Sequence, residues 1–335
     1  MPPTRSAGGR WPARGALDVT AAVGQSRRVV VSGVVPPLCT PLTADGEVDT
    51  RSLGALVEHV LGAGVHAVFV LGTSGESAHL TDAQRSAALA AALEAVAGRV
   101  PVLAGVIDMT TARVLEHARA AAALGADALV ATAPFYTGTH PAEVADHFRR
   151  VRAGAGLPLL AYDIPSTVHT KLTTPTLLEL AGDGTLAGLK DSSGDLGALR
   201  RLLVALRERG RAHDFAVLTG SELTVDGALL AGADGVVPGL GNVDPAGYVR
   251  LYEHARAGRW AEAAAEQDRL AALFALVDAG ATAEMSGSAA ALGGFKEALR
   301  ALGVIESAAT AAPLRPLPAE AVARVRRLLA EAGLL

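Results

Sequence analysis

The sequence predicts an α/β fold, a (β/α)8 TIM barrel with additional C-terminal helices, and three observations support it. Short apolar runs alternate with alanine-rich stretches of helical period from residue 34 onward. Eight such runs occur, at 34–38, 67–71, 102–106, 128–132, 158–162, 185–189, 216–219 and 235–237. First to last they cover about 200 residues in seven steps, roughly 29 residues per unit, close to the spacing of a (β/α)8 barrel. Composition agrees: 50% of the residues are hydrophobic but only 4% aromatic. A core of Ala, Val, Leu and Gly suits a parallel sheet covered by helices. An open doubly wound sheet shares the alternation, but eight regular units without a second nucleotide-binding half favour closure.

The elements follow in order. Residues 1–28 carry Arg5, Arg10, Arg14, Arg27 and Arg28 against the single acid Asp18, with no continuous apolar stretch. They read as a disordered extension rather than a signal peptide. The catalytic barrel is expected over 29–257. Helical periodicity is clearest at 51–61, 81–97, 112–123 and 195–209. Thr81 and Asp195 are placed as N-caps, and Gly64, Gly98 and Gly125 follow helix ends where a left-handed residue is needed. After the eighth unit come helical stretches at 245–257, 259–277, 289–302 and 319–332, with Pro313, Pro316 and Pro318 breaking the chain before the last. The barrel needs one of these. Residues 258–335 therefore read as a helical extension that packs outside the barrel or serves an oligomer interface.

Charge and cysteine content narrow the function. The formal net charge is -4 and the pI about 6.1. No basic stripe is present, so nucleic-acid binding is disfavoured. No apolar run reaches the roughly 18 residues that span a bilayer. The single Cys39 excludes an intrachain disulfide and a multi-cysteine metal site. Among nine histidines there is no HExxH pair, and Glu143 with His147 on one helix face makes only two ligands. A cytoplasmic protein without a metal cofactor is expected.

The chemistry-bearing residues fall where a barrel keeps its active site, on the loops after the strands. Of 30 basic residues only Lys171, Lys190 and Lys296 are lysines. Lys190 stands in Gly188-Leu189-Lys190-Asp191-Ser192-Ser193-Gly194-Asp195, at the end of the sixth run. Unlike arginine, a lysine can lose its proton and attack a carbonyl; a snorkelling lysine at a strand end is the plainer alternative. Two of four tyrosines, Tyr136 and Tyr162, lie at the same face. A phenol beside a neutral lysine can pass protons. Gly72-Thr73-Ser74-Gly75-Glu76-Ser77 puts two hydroxyls and several N–H groups on a tight loop suited to a carboxylate. Glu76 reads as structural, capping backbone N–H groups or meeting a subunit. Gly220-Ser221-Glu222 follows the seventh run, and Gly239-Leu240-Gly241 lies where barrels often hold phosphate, but without a basic partner nearby.

From residue 34 to 302 the chain resembles the dihydrodipicolinate synthase / N-acetylneuraminate lyase (DapA-like) family of Schiff-base class I aldolases. The resemblance rests on Pro37-Leu38-Cys39-Thr40-Pro41-Leu42 with Asp45-Gly46, then Gly72–Ser77, then Tyr162-Asp163-Ile164-Pro165, then Gly188–Asp195. It implies that Lys190 forms the imine with pyruvate or another 2-oxo acid and that Tyr162 shuttles protons. Thr73 and Ser74 would hold the carboxylate, and Tyr136 would reach a neighbouring subunit's site. Val237 would place its backbone carbonyl near the lysine; Ser221 is expected to bind substrate from its position on the loop after the seventh run. The resemblance also implies a homotetramer built as a dimer of dimers, with no metal.

Departures from the family pattern bear on substrate. Thr167 stands where synthases carry an arginine that clamps a dicarboxylic substrate, which argues against that reaction. Asp163 replaces an asparagine, adding a charge that would repel a second carboxylate or bind a sugar hydroxyl. Phe135 replaces a tyrosine. The segment from Lys190 to Asp195 looks closer to 2-keto-3-deoxy sugar-acid aldolases. The expectation is a lyase joining or splitting pyruvate and an aldehyde. A 4-hydroxy-tetrahydrodipicolinate synthase, a sugar-acid dehydratase and a non-catalytic oxo-acid-binding protein remain alternatives.

Overall fold

The computed structural model describes residues 31–280 and 284–335; the extension expected at 1–28 lies outside them. Eight strands form one parallel sheet: β1 Gly33–Val34, β2 Val68–Val70, β3 Val102–Gly105, β4 Ala128–Thr132, β5 Leu159–Asp163, β6 Gly188–Asp191, β7 Ala216–Thr219 and β8 Gly235–Val236. Their order is β1-β8-β7-β6-β5-β4-β3-β2. The gap between β1 and β2 is closed by a parallel bridge of Pro37 with Phe69. There Leu38 N–H donates to Phe69 O at 2.8 Å and Phe69 N–H to Pro36 O at 3.0 Å. The chain is thus a (β/α)8 TIM barrel.

Two strands differ from their apolar runs. β1 is confined to two residues because Pro36 and Pro37 have no N–H to give the ladder. β6 starts three residues later than its run. Thr185 and Leu186 are used in leaving the preceding helix: Gly184 is left-handed (φ 78°) and Leu186 N–H returns to Leu180 O at 3.0 Å. An apolar run cannot by itself separate such a turn from a strand. The later start carries β6 past Lys190 to Asp191, so the lysine lies within the ladder.

The helices are α1 Thr50–Gly62, α2 Asp82–Val96, α3 Thr111–Leu124, α4 Pro141–Ala155, α5 Pro165–Val168, α6 Thr174–Gly182, α7 Leu196–Glu208, α8 Val225–Ala231, α9 Pro245–Arg256, α10 Trp260–Phe274, α11 Gly287–Ala301 and α12 Ala319–Glu331. Thr81 caps α2 in a reciprocal box with Gln84, and Asp195 caps α7 through Ala198 N–H at 2.8 Å. Gly64, Gly98 and Gly125 are all left-handed. The stretch read as one helix over 259–277 changes to a 3-10 turn, Ala275–Asp278, after Phe274.

Side chains alternate across each strand, which gives two apolar layers. Val35, Phe69, Leu103, Val130, Leu160, Tyr162, Leu218 and Val237 fill the barrel. Their neighbours Leu129, Leu159, Ala161, Leu189 and Val217 face the helices. The β1–β8 seam is tight. A Cβ on Gly235 would lie 2.1 Å from Gly33 O, and one on Gly33 (φ 88°) would lie 2.3 Å from the His66 ring. Only glycines fit there.

Beyond α9, α10 packs on α8 and α9, and α12 packs on α11. Lys296 of α11 has a fully buried side chain that pairs with the equally buried Glu76 and donates to Ala309 O at 2.7 Å. Glu76 also accepts from Ala311 N–H at 2.6 Å. It caps a backbone N–H as expected, in the chain's own C-terminal segment. Lys296→Met is expected to destabilise the fold by about 3–5 kcal/mol, because Glu76 keeps a buried charge without its cation. Adding Glu76→Gln should recover most of that loss, measured by urea denaturation followed by circular dichroism.

Candidate active site

Tyr162 and Lys190 are register partners on β5 and β6, and Lys190 in turn pairs with Leu218 on β7. Bridge partners on parallel strands turn their side chains the same way, so the apolar inward positions of Tyr162 and Leu218 carry Lys190 into the barrel with them. Lys190 is 5% exposed. Its Nζ lies 4.0 Å from the Tyr162 ring centroid and 5.0 Å from that of Phe69. The Tyr162 hydroxyl shares a hydrogen bond of 3.3 Å with Thr73 Oγ1. Ser192 and Lys190 bond the same phenol. Burial by itself pushes that phenol up, but the Lys190 charge and these hydrogen bonds outweigh it and hold Tyr162 below its ordinary pKa. Gly220 leaves room for the group: a Cβ there would lie 2.1 Å from Ser192 Oγ and 3.2 Å from Lys190 Cε.

Thr73 arrives on a loop of successive turns. Leu71 and Glu76 are both left-handed, at φ 61° and 56°. Gly75 N–H donates to Gly72 O at 3.1 Å and Glu76 N–H to Thr73 O at 3.0 Å. Those N–H groups are spent inside the loop, which leaves it the hydroxyls of Thr73, already on Tyr162, and of Ser74 to turn toward a ligand. Two buried side chains fix the loop from below. Thr40 Oγ1 donates to Gly75 O at 2.8 Å. Arg85 reaches Ser77 O at 3.3 Å, Ile107 O at 3.1 Å and Gly105 O at 3.3 Å.

The other expected residues divide. Val237 is buried inside the barrel at the end of β8, its N–H on Thr219 O at 2.7 Å. Ser221 opens the loop after β7, its N–H on Thr219 Oγ1 at 3.1 Å. Both stand at the lysine's end of the barrel. Tyr136 is 90% exposed with φ 83°, clear of the Lys190 group of its own chain. Asp163 is fully buried on the opposite face of β5 from Tyr162. It pairs there with Lys171 and accepts Leu172 N–H at 3.1 Å. A strand turns successive residues to opposite faces, so the structure brings neither Asp163 nor Lys171 to the lysine. Burial nevertheless pushes the Asp163 carboxyl up, against the pull of Lys171.

Ser192, Gly220 and Glu222, which the sequence places in strand-end loops without a role, join the site. Glu222 accepts Gly239 N–H and Leu240 N–H, each at 2.9 Å, and the Tyr248 hydroxyl at 3.0 Å. Burial pushes its carboxyl up to about 7, with these donors and Lys190 pulling the other way. The glycine-rich turn that resembles a phosphate cradle thus holds the chain's own carboxylate. That turn was the available signal, but Glu222 stands 17 residues before it and Tyr248 lies 26 beyond Glu222.

Glu143 and His147 do not act together. Glu143 caps His140 N–H at 2.7 Å, whereas His147 meets Thr111 Oγ1 at 3.0 Å through Nδ1. Among the described residues no group of three or more His, Cys, Asp or Glu is placed to hold a metal ion. No described helix is long and apolar enough to cross a membrane.

A barrel with a buried amine, a phenol and a hydroxyl converging at its strand ends has the makings of a class I aldolase. The chain belongs to the Dihydrodipicolinate synthetase family, whose sequence model matches residues 30–332. It is a lyase of that family's pyruvate-dependent aldolase type. Over 228 residues, 68% of this chain and 75% of the relative, it is 39% identical to a 4-hydroxy-tetrahydrodipicolinate synthase of Stenotrophomonas maltophilia. It is 35% identical to an uncharacterized DapA-like lyase of Halobacterium salinarum over 94% of this chain and 98% of that one. Among solved structures it resembles YagE, a prophage protein of the dihydrodipicolinic acid synthase family from E. coli K12 in complex with pyruvate. That match has a TM-score of 0.84 and 28% identity, covering 92% of this chain and 100% of the other. A monomeric dihydrodipicolinate synthase variant matches with a TM-score of 0.83 and 27% identity, over 93% of this chain and 100% of that one.

Burial lowers His147 from 6.5 to about 4, so the folded chain holds it neutral. A depressed histidine contributes stability that is present above the unfolded value and is lost as pH falls from 6.5 toward 4. The loss is expected to be about 3 kcal/mol. Unfolding titrations across that range should show a shallower slope in His147→Gln than in the natural chain.

Proposed function

We propose that the chain is a Schiff-base aldolase that splits or forms the C3–C4 bond of a 2-oxo acid, with Lys190 as the imine-forming residue. The contact of Lys190 with Tyr162 inside the barrel is the observation that carries this reading. The neutral Lys190 amine adds to the C2 carbonyl, and Tyr162 gives its proton to the departing hydroxyl, so that water leaves and a protonated imine faces the Tyr162 phenolate. In cleavage, Tyr162 takes the proton of the C4 hydroxyl. The C3–C4 pair moves into the enamine and an aldehyde departs. Protonation at C3 and hydrolysis then release pyruvate and the free amine. The depressed Tyr162 phenol suits this proton transfer. Thr73 and Ser74 bind the carboxylate, and Val237 and Ser221 line the substrate side of the mouth. The covalent chemistry is supplied by Lys190 and calls for no metal.

The substrate class favoured is a 2-keto-3-deoxy sugar acid or related hydroxy-oxo acid. Thr167 offers no guanidinium for a second carboxylate. Asp163, engaged by Lys171, leaves none of its charge for a sugar hydroxyl. The synthase reading has its own support in the 39% identity to a 4-hydroxy-tetrahydrodipicolinate synthase. A coupled assay with aspartate semialdehyde separates the two. We place the enzyme in the cytoplasm as a homotetramer, in which the outstanding exposure of Tyr136 lets it meet a neighbouring subunit's site. Residues 29–257 make the catalytic unit, with 258–335 as the helical extension that locks its mouth.

Reduction by borohydride in the presence of pyruvate should leave a stable adduct on Lys190, found by peptide mass spectrometry; a folded enzyme without it sinks the pyruvate imine. Lys190→Arg should keep the fold and lose turnover. Tyr162→Phe should lower turnover by about 100-fold or more; an unchanged rate removes Tyr162 from the proton path.

A further inference from the structure

We infer that Glu222 is a positioning residue for the imine reaction: its ionised carboxylate fastens the turn after β8 to the loop after β7 and so fixes the barrel wall beside Lys190. This rests on Lys190 as the imine-forming residue. The seam it spans needs such a tie, because β1 and β8 are two residues each. The turn after β8 is Gly239–Asn242, and it is held from both sides. Toward β1, the buried Asn242 accepts Cys39 N–H at 2.9 Å and donates to Pro37 O at 2.8 Å. Toward β7, the turn's N–H groups are held by the Glu222 side chain, one oxygen on Gly239 and the other on Leu240. Its backbone is anchored as well: Gln267 of α10 donates to Glu222 O at 2.8 Å and accepts Val225 N–H at 2.8 Å. Val237, inside the barrel, lies two residues before the clamped turn.

Two backbone N–H groups and the Tyr248 hydroxyl donate to the carboxylate, an arrangement that favours its acceptor-only ionised form. A protonated carboxyl would bring an O–H into that ring in place of an acceptor. The charged and titratable groups facing Glu222 are Lys190 from β6, Tyr248 from α9 and Cys39 from the segment after β1. Behind Tyr248 stand Asp244 and Arg269. Behind Cys39 stand Glu76 and Lys296. Tyr248 is pushed well above its usual value, and Cys39 up to about 12, so both stay protonated near neutrality. Glu222, at about 7, titrates there. The clamp is therefore closed above that pH and released below it.

The test follows formation of the pyruvate adduct on Lys190 under cyanoborohydride between about pH 5 and pH 9, with folding checked by circular dichroism. In the natural chain the rate should fall as pH drops through about 7. Glu222→Gln should lower the rate at high pH by about 10-fold and remove that limb. Tyr248→Phe should move the limb to higher pH, since a lost donor favours the neutral carboxyl. If Glu222→Gln does not fold, the Tyr248→Phe limb decides. A limb unmoved in either variant, or missing from the natural chain, overturns the inference while leaving the imine intact. No adduct in the natural chain at any pH sinks the Lys190 reading itself.

Discussion

Tyr162 and Lys190 are bridge partners on adjacent parallel strands, and both turn into the barrel. Asp163 and Asp191, one residue on and likewise paired, turn out. Every other feature of the site depends on this parity. A slip of one residue on either strand would exchange the inward amine or phenol for a carboxylate or an apolar side chain. The inward row also sets the environment. The amine and the phenol meet among Phe69, Leu218 and Val237 rather than in water, which strengthens their mutual influence.

The core is made of small aliphatic side chains, which fill space well but give loops little to hold. The mouth is fixed instead by buried polar side chains that reach across long stretches of sequence. Arg85 gathers carbonyls from the ends of β2 and β3. Asn242 joins the turn after β8 to the segment after β1. Glu76 and Lys296 bolt the loop that carries Thr73 to α11. Each has several partners, although the buried Arg85 Nε has none, and several partners together let a buried polar group specify a geometry.

Two groups near Lys190 are displaced in opposite senses by one set of forces. Burial pushes both Tyr162 and Glu222 toward their neutral forms. For the phenol, the adjacent cation and hydrogen bonds win; for the carboxylate, burial wins. A phenol that yields its proton more readily beside an amine suits repeated proton transfer. Gly220 makes this arrangement possible at close quarters, since any side chain there would collide with Ser192 and press on Lys190.

Much of this was legible in the chain. The eight apolar runs, the caps at Thr81 and Asp195 and the left-handed glycines are local signals, governed by residues within a few positions, and the barrel follows from their repetition. Lys190, Tyr162 and Thr73 could be named because strand ends converge in such a fold. What only the tertiary structure decided was direction and partnership. Asp163 lies one residue from Tyr162 in sequence but faces the helix layer. The turn Gly239–Asn242 looked like an anion cradle and proved to hold Glu222. β6 began later than its apolar run because the end of α6 consumed the first residues. The first two share a physical reason: backbone periodicity is written locally, whereas the choice of partner for a polar side chain is made by whichever distant group closure brings within about 3 Å.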